Sequence, residues 1–275
     1  MTDYSADTIE QYSGLLIQRS GYTNPDFPGG YDANRPAPPP ALLDVLCLQA
    51  QVDRPRLVVD LGSGTGLSTR VWADRADEVV GVEATAEMRA RAEAGTAAPN
   101  VRYVHAYAQQ TGLRDGAADI VTASQSFHWM EPEPTLTEVA RILRPGGVFA
   151  AYDYDWPPVC DWEVEQAFGE MLHRVWKARG IPKKLRYDKS EHLDRMAASG
   201  HFRFTREVVL HSRERGSAKR IVGMALSLGP LVVLLEEGKT EEEMGVAQLR
   251  EVAAKAFGGR EVDWFMSYRA RVGVK

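Results

Sequence analysis

Three glycines at alternate positions, Gly62, Gly64 and Gly66, follow a short apolar run that ends around an acid, Leu57-Val58-Val59-Asp60-Leu61. A second apolar run, Val79-Val80-Gly81-Val82, ends in another acid, Glu83. Short apolar runs bounded by turn residues read as buried strands. Glycine admits positive φ and lets a bulky ligand come close to the backbone. Strand, glycine turn, helix, strand, acid is the layout of a nucleoside-binding crevice at the carboxyl ends of parallel strands. The chain is thereby constrained to an α/β sheet, and a nucleoside cofactor is predicted.

The spacing narrows the cofactor. A dinucleotide turn needs a third glycine for close helix–strand packing, at the position that Leu67 fills. A phosphate-cradling loop would close on a lysine followed by Ser or Thr, and none is present there. Asp60 is a poor neighbour for a pyrophosphate and a good one for an ammonium group. Glu83 can accept from two ribose hydroxyls. An adenosine that carries an amino acid through a sulfonium satisfies all three features.

The rest of the chain alternates regularly. Strands are predicted at 57–61, 78–82, 101–105, 119–124 and 148–154, with helices at 41–51, from the glycine turn to about Arg75, 85–94 and 131–143. Such alternation implies a parallel sheet with right-handed crossovers. Beyond it, helices are predicted at 3–20, 161–179 and 188–199 and over much of 217–257, with strands at 202–212 and 261–273. With 275 residues, 44% of them apolar, one α/β domain is expected. Its parts are an N-terminal helical segment over the cofactor (1–50), a cofactor-binding core (51–155), an inserted helical cap (156–200) and closing strands and helices (201–275). The net charge of −5 gives no support for a nucleic-acid or anionic-membrane partner. Cys47 and Cys160 form no metal-ligand spacing or disulfide framework, and no signal peptide or membrane-spanning run is read. A cytoplasmic protein, monomeric or homodimeric, with no metal is the expectation.

These motifs resemble those of class I S-adenosylmethionine-dependent methyltransferases, in the small-molecule, type 11-like group. Val58 to Gly66 is similar to the family's first motif, Gly81-Val82-Glu83 to its ribose-binding second, Asp119 to Trp129 to its fourth, and Arg141-Ile142-Leu143-Arg144-Pro145-Gly146-Gly147 to its lead into strand five. The resemblance implies a Rossmann-like seven-stranded sheet with an antiparallel last strand, flanked by helices. It implies S-adenosylmethionine as cofactor and S-adenosylhomocysteine as product. The cofactor residues it implies are Arg35, Asp60, Gly62, Ser63, Gly64, Gly66, Glu83, Met88, Tyr107, Ala108, Gln109 and Ser124. Arg35 would fork onto the cofactor's carboxylate. The family's adenine loop commonly reads Gly-Asp-Ala-Glu, whereas this chain has Ala106-Tyr107-Ala108-Gln109. Tyr107, by stacking or hydrogen bonding, or a backbone carbonyl is left to hold the base.

Methyl transfer from a sulfonium is an in-line displacement that needs alignment, and a proton acceptor only for some nucleophiles. The acceptor pocket is expected beyond strands four and five, lined by Phe127, His128, Trp129, Tyr152, Tyr154 and Trp156, with Trp176 from the cap. His128 is the first candidate base, Asp153 a second. Their aromatic content favours a small organic acceptor, such as a secondary metabolite. The alternative is an S-adenosylmethionine-binding enzyme on the same scaffold that runs a cyclisation or rearrangement.

Overall fold

The computed structural model describes residues 31–180 and 187–275. The helix predicted over 3–20 lies outside them. A short helix α1 (Tyr31–Asn34) precedes α2 (Pro40–Ala50), which is entered through prolines. Proline costs little at a first-turn position because that N–H has no helical partner.

The core then alternates: β1 (Leu57–Leu61), α3 (Leu67–Arg70), β2 (Glu78–Glu83), α4 (Ala86–Ala94), β3 (Val101–His105), β4 (Ala118–Ser124), α5 (Pro132–Ile142) and β5 (Leu143–Tyr154). The helix expected to reach Arg75 ends at Arg70 and continues as tightened turns, with Trp72 N–H on Thr69 O and Ala73 N–H on Arg70 O. Next come α6 (Trp162–Arg179), α7 (His192–Ala198) and β6 (Phe204–Gly216). They are followed by α8 (Ala218–Leu226), α9 (Gly229–Glu236), α10 (Glu241–Met244), α11 (Val246–Phe257) and β7 (Val262–Val274).

The seven strands lie in the order β3-β2-β1-β4-β5-β7-β6. β1 to β5 pair in parallel, while β7 runs antiparallel between β5 and β6. The strand order reverses between β1 and β4, which is where an open α/β sheet places its crevice.

Both faces of the sheet are covered. Alternation along β5 sends Val148, Ala150, Tyr152 and Tyr154 to one side, into a core with Trp72, Phe168, Met171, Leu249 and Trp264. Phe149 and Ala151 point to the other side, against Phe127, Leu136, Val139, Met196 and Phe202. The stretch 156–200, expected as a single cap, is divided between these layers. α6 packs on α9 and α11, whereas α7 packs on β6 and β7. Each buries its apolar residues there: Val164, Phe168, Met171 and Val175 on α6, and Met196 on α7.

Candidate functional site

A cavity of about 180 Å³ opens at the carboxyl ends of the parallel strands, across the β1/β4 reversal. The turn after β1 forms its floor. Gly62 N–H and Ser63 N–H both bond Val82 O, at 2.8 and 3.1 Å, and Gly66 N–H bonds Ser63 O at 2.9 Å. All three glycines have positive φ, of 65°, 56° and 83°. Their roles differ. A side chain at Gly64 would meet nothing within 4 Å, so this is the open cradle. At Gly66 a Cβ would lie 2.2 Å from the Tyr103 hydroxyl, and Gly66 does not line the cavity. The expectation that Gly66 touches the cofactor is therefore corrected: it lets the turn close against Tyr103.

Glu83 ends β2 with both oxygens anchored. Oε2 accepts from Gly64 N–H and Oε1 from Thr85 N–H, each at 2.8 Å. Burial pushes its carboxyl above the ordinary carboxylate range, and the two amides oppose that shift. Each carboxylate oxygen can accept a further bond, so hydroxyls can still be held there.

Asp60 behaves differently from its sequence reading. It is fully buried and absent from the cavity wall. Its Oδ2 accepts from Ser68 Oγ at 2.7 Å and Thr69 Oγ1 at 2.8 Å, and its Oδ1 from Thr122 Oγ1 at 2.8 Å. Burial raises its pKa against these hydroxyls. It ties β1 to α3 and β4.

Arg35 does line the cavity, and its guanidinium is held on several sides. Nε donates to Ser227 Oγ at 2.7 Å, Nη1 to Tyr154 Oη at 2.6 Å and Nη2 to Ser227 O at 2.6 Å. Tyr31 and Trp156 rings flank it, each with the centroid 4.9 Å away. A guanidinium fixed in this way is preorganised for an anion. Met88, Tyr107, Ala108, Gln109, Ser124, Ser63 and Gly62 also stand in the wall.

Of the residues predicted for the acceptor pocket, the structure brings only Trp129 and Tyr154 to the cavity. Phe127 is buried against Phe149 and His192. Tyr152 lies in the opposite core, its hydroxyl pKa raised by burial. Trp156 stacks on Phe168, and Trp176 lies on α6, off the cavity wall. His128 and Asp153 are buried side by side, with Nδ1 3.8 Å from Oδ1, and neither lines the cavity. The base expectation for both is corrected: Asp153 alternates away from Tyr152 and Tyr154, onto the face where Lys189 Nζ meets it at 2.6 Å and Arg271 Nη1 at 3.1 Å. Among the described residues none from 156–200 lines the cavity. Sequence reasoning gave no role to Thr85 or Gln125. Position after β4 could have flagged Gln125.

The methyltransferase domain family matches residues 59–151. An uncharacterised methyltransferase of Mycobacterium tuberculosis is 38% identical over 119 residues, 43% of this chain and 46% of the relative. The demethylmenaquinone methyltransferase of Thermus thermophilus is 33% identical over 133 residues, 46% of this chain and 57% of the relative. Residues 59–151 carry the sequence of a methyltransferase domain. It spans about half the length of the curated relatives it matches. The fold of a candidate type II methyltransferase from Anaeromyxobacter dehalogenans superposes with a TM-score of 0.66, at 24% identity over 87% of this chain and 97% of that one. In this methyltransferase domain the matched stretch ends inside β5, so β6, β7 and the helices between them lie outside it. Among the described residues no helix is long and apolar enough by itself to cross a membrane, and no group of three or more His, Cys, Asp or Glu could hold a metal ion.

Proposed function

We propose that the protein transfers the methyl group of S-adenosylmethionine to a small organic acceptor, chiefly by positioning. The observation that carries this reading is one cavity wall that runs from Tyr107–Gln109 past Glu83 and Gly64 to Arg35, Ser124 and Tyr154. The wall fits the cofactor. The cradle at Gly64 is open, and Ser63 Oγ is buried without a hydrogen-bond partner among the described residues.

Tyr107 to Gln109 would hold the adenine, Glu83 the ribose hydroxyls, and Arg35 the carboxylate. When bound, the cofactor supplies an electrophilic methyl. The chain's own part is to exclude water and align the acceptor, which can supply much of the rate in a dry site. Arg35 and Glu83 are the ionisable Arg and Glu side chains of the wall. At the acceptor end stand Gln125, Ser126, Trp129, Met130 and Tyr154, neutral and partly aromatic, which suits an uncharged or aromatic metabolite. With His128 and Asp153 turned away, the acceptor's nucleophile brings its own reactivity. A cytoplasmic role in small-molecule biosynthesis, as monomer or homodimer, goes with this reading.

Calorimetry with S-adenosylhomocysteine tests the cofactor half: no binding by the folded protein overturns it. Incubation of S-adenosylmethionine with fractionated metabolites tests the rest. Turnover of an acceptor without formation of S-adenosylhomocysteine would move the reading to a non-methylating reaction.

A further inference from the structure

Gln125 stands in the cavity wall at φ 51°, a left-handed conformation that an L side chain other than Gly, Asn or Asp seldom adopts. Its backbone is held there by its own N–H on Tyr152 O at 2.9 Å. Its side chain is held at both ends. Nε2 donates to Tyr154 O at 3.2 Å, and Oε1 accepts from Lys189 Nζ at 2.7 Å. Lys189 is itself tied to the buried Asp153, Asp153 to Arg271, and Arg271 Nε to Glu207 at 3.1 Å. A chain of charges that crosses β5, β7 and β6 thus fixes one neutral amide beside the cavity. Strain retained at a residue fixed so fully is a mark of a functional position. An amide has two donors and two acceptor sites, so these bonds leave one of each at Gln125 for a ligand.

Strand order places that amide. The wall runs from β3 through β2 and β1 to β4 and β5, and Gln125 sits at the β4/β5 end with Arg35 and Tyr154, away from Tyr107. We propose that Gln125 supplies the hydrogen-bonding group at the methyl-bearing end of this cavity, and that Lys189, anchored by Asp153, is the positioning residue that sets its amide. The proposal rests on the cavity's taking S-adenosylmethionine. It assigns the acceptor a polar group that an amide can meet.

The test needs no acceptor. Sinefungin carries an amine-bearing carbon where the cofactor carries its methylated sulfur, and S-adenosylhomocysteine carries nothing there. Both are titrated into the wild-type chain and variants by calorimetry. Gln125→Ala is expected to weaken sinefungin about tenfold relative to S-adenosylhomocysteine, the loss of one hydrogen bond to a charged group. Gln125→Asn tolerates the left-handed backbone and shortens the amide, so it gives the same direction if the alanine variant folds poorly. Lys189→Met should shift the ratio the same way by a smaller factor, and Lys189→Arg should restore it. An unchanged ratio in both Gln125 variants, or equal loss of both ligands, overturns the assignment. A gain in sinefungin affinity in Lys189→Met would show Lys189 acting as a repelling charge and overturn its positioning role. Failure of the wild-type chain to bind S-adenosylhomocysteine sinks the cofactor reading instead.

Discussion

At the scale of single residues, the glycine turn divides into parts with separable consequences. Gly64→Val places a branched side chain in open space at the cradle, so the chain should fold and lose S-adenosylhomocysteine binding. Its positive φ adds a stability cost of about 1–2 kcal/mol. Gly66→Ala has the opposite profile. The new Cβ meets the end of the Tyr103 side chain at 2.2 Å, at φ 83°, so a loss of roughly 2–4 kcal/mol in urea unfolding is expected. Equal unfolding midpoints for Gly66→Ala and wild type would show that Tyr103 yields freely. Glu83→Ala removes the acceptor of two amide donors, Gly64 N–H and Thr85 N–H. Stability should fall by about 1–3 kcal/mol, because buried donors lose their partner. Weaker S-adenosylhomocysteine binding should accompany it, and unchanged affinity in calorimetry would remove Glu83 from the ribose site.

At the scale of elements, α1 and the segment after it are fastened beside the cavity that Tyr31 lines. Asp32 accepts from the Thr65 hydroxyl and from Arg70 Nη2 at 2.5 Å, while Tyr268 Oη holds Ala37 O at 2.8 Å. The Asp32–Arg70 pair is partly exposed, so each bond is worth at most about 1 kcal/mol. Asp32→Ala is therefore expected to speed S-adenosylhomocysteine release by about two- to fivefold in stopped-flow displacement, with little change in unfolding. An unaltered release rate would show that α1 does not retain the ligand. β1 to β5 were legible because apolar runs between turn residues leave few alternatives. β6 and β7 were legible as strands, yet β7 pairs inside β6, a choice that sequence order does not carry. Asp60 is drawn inward for a local reason: Ser68 and Thr69 on the next turn bond its carboxylate, and no residue pattern says which way an acid at a strand end points. The helices of 156–200 gave their amphipathic faces, but a face does not say which side of a sheet it covers. Gln125 carries its left-handed backbone with no residue-type signal at all.

At the scale of the whole molecule, the two covered faces are not chemically alike. One buries Arg35 against Tyr154 and Ser227, while the other holds the chain of charges through Asp153, Arg271, Glu207 and Lys189 with His128 and His192 beside it. His192 has no exposed surface and stands 4.7 Å from the Phe127 ring. Burial holds its pKa down at about 4; Asp153 pulls it up, and Arg195, Arg271 and Lys189 push it further down. The folded state therefore refuses a proton that the unfolded chain accepts near its ordinary value of 6.5. Its contribution to stability is complete above that value and is lost as pH falls toward about 4. The shift corresponds to about 3 kcal/mol over that window. His192→Leu removes the titration, keeps an apolar group beside Phe127, and gives up the Arg195 Nη1 contact to Nδ1 at 3.3 Å. Urea unfolding of both proteins across this range should show wild type losing more stability than His192→Leu, with the curves converging on the acid side. Parallel curves would mean that His192 is protonated within the fold, and that the Asp153 cluster, not burial, governs it.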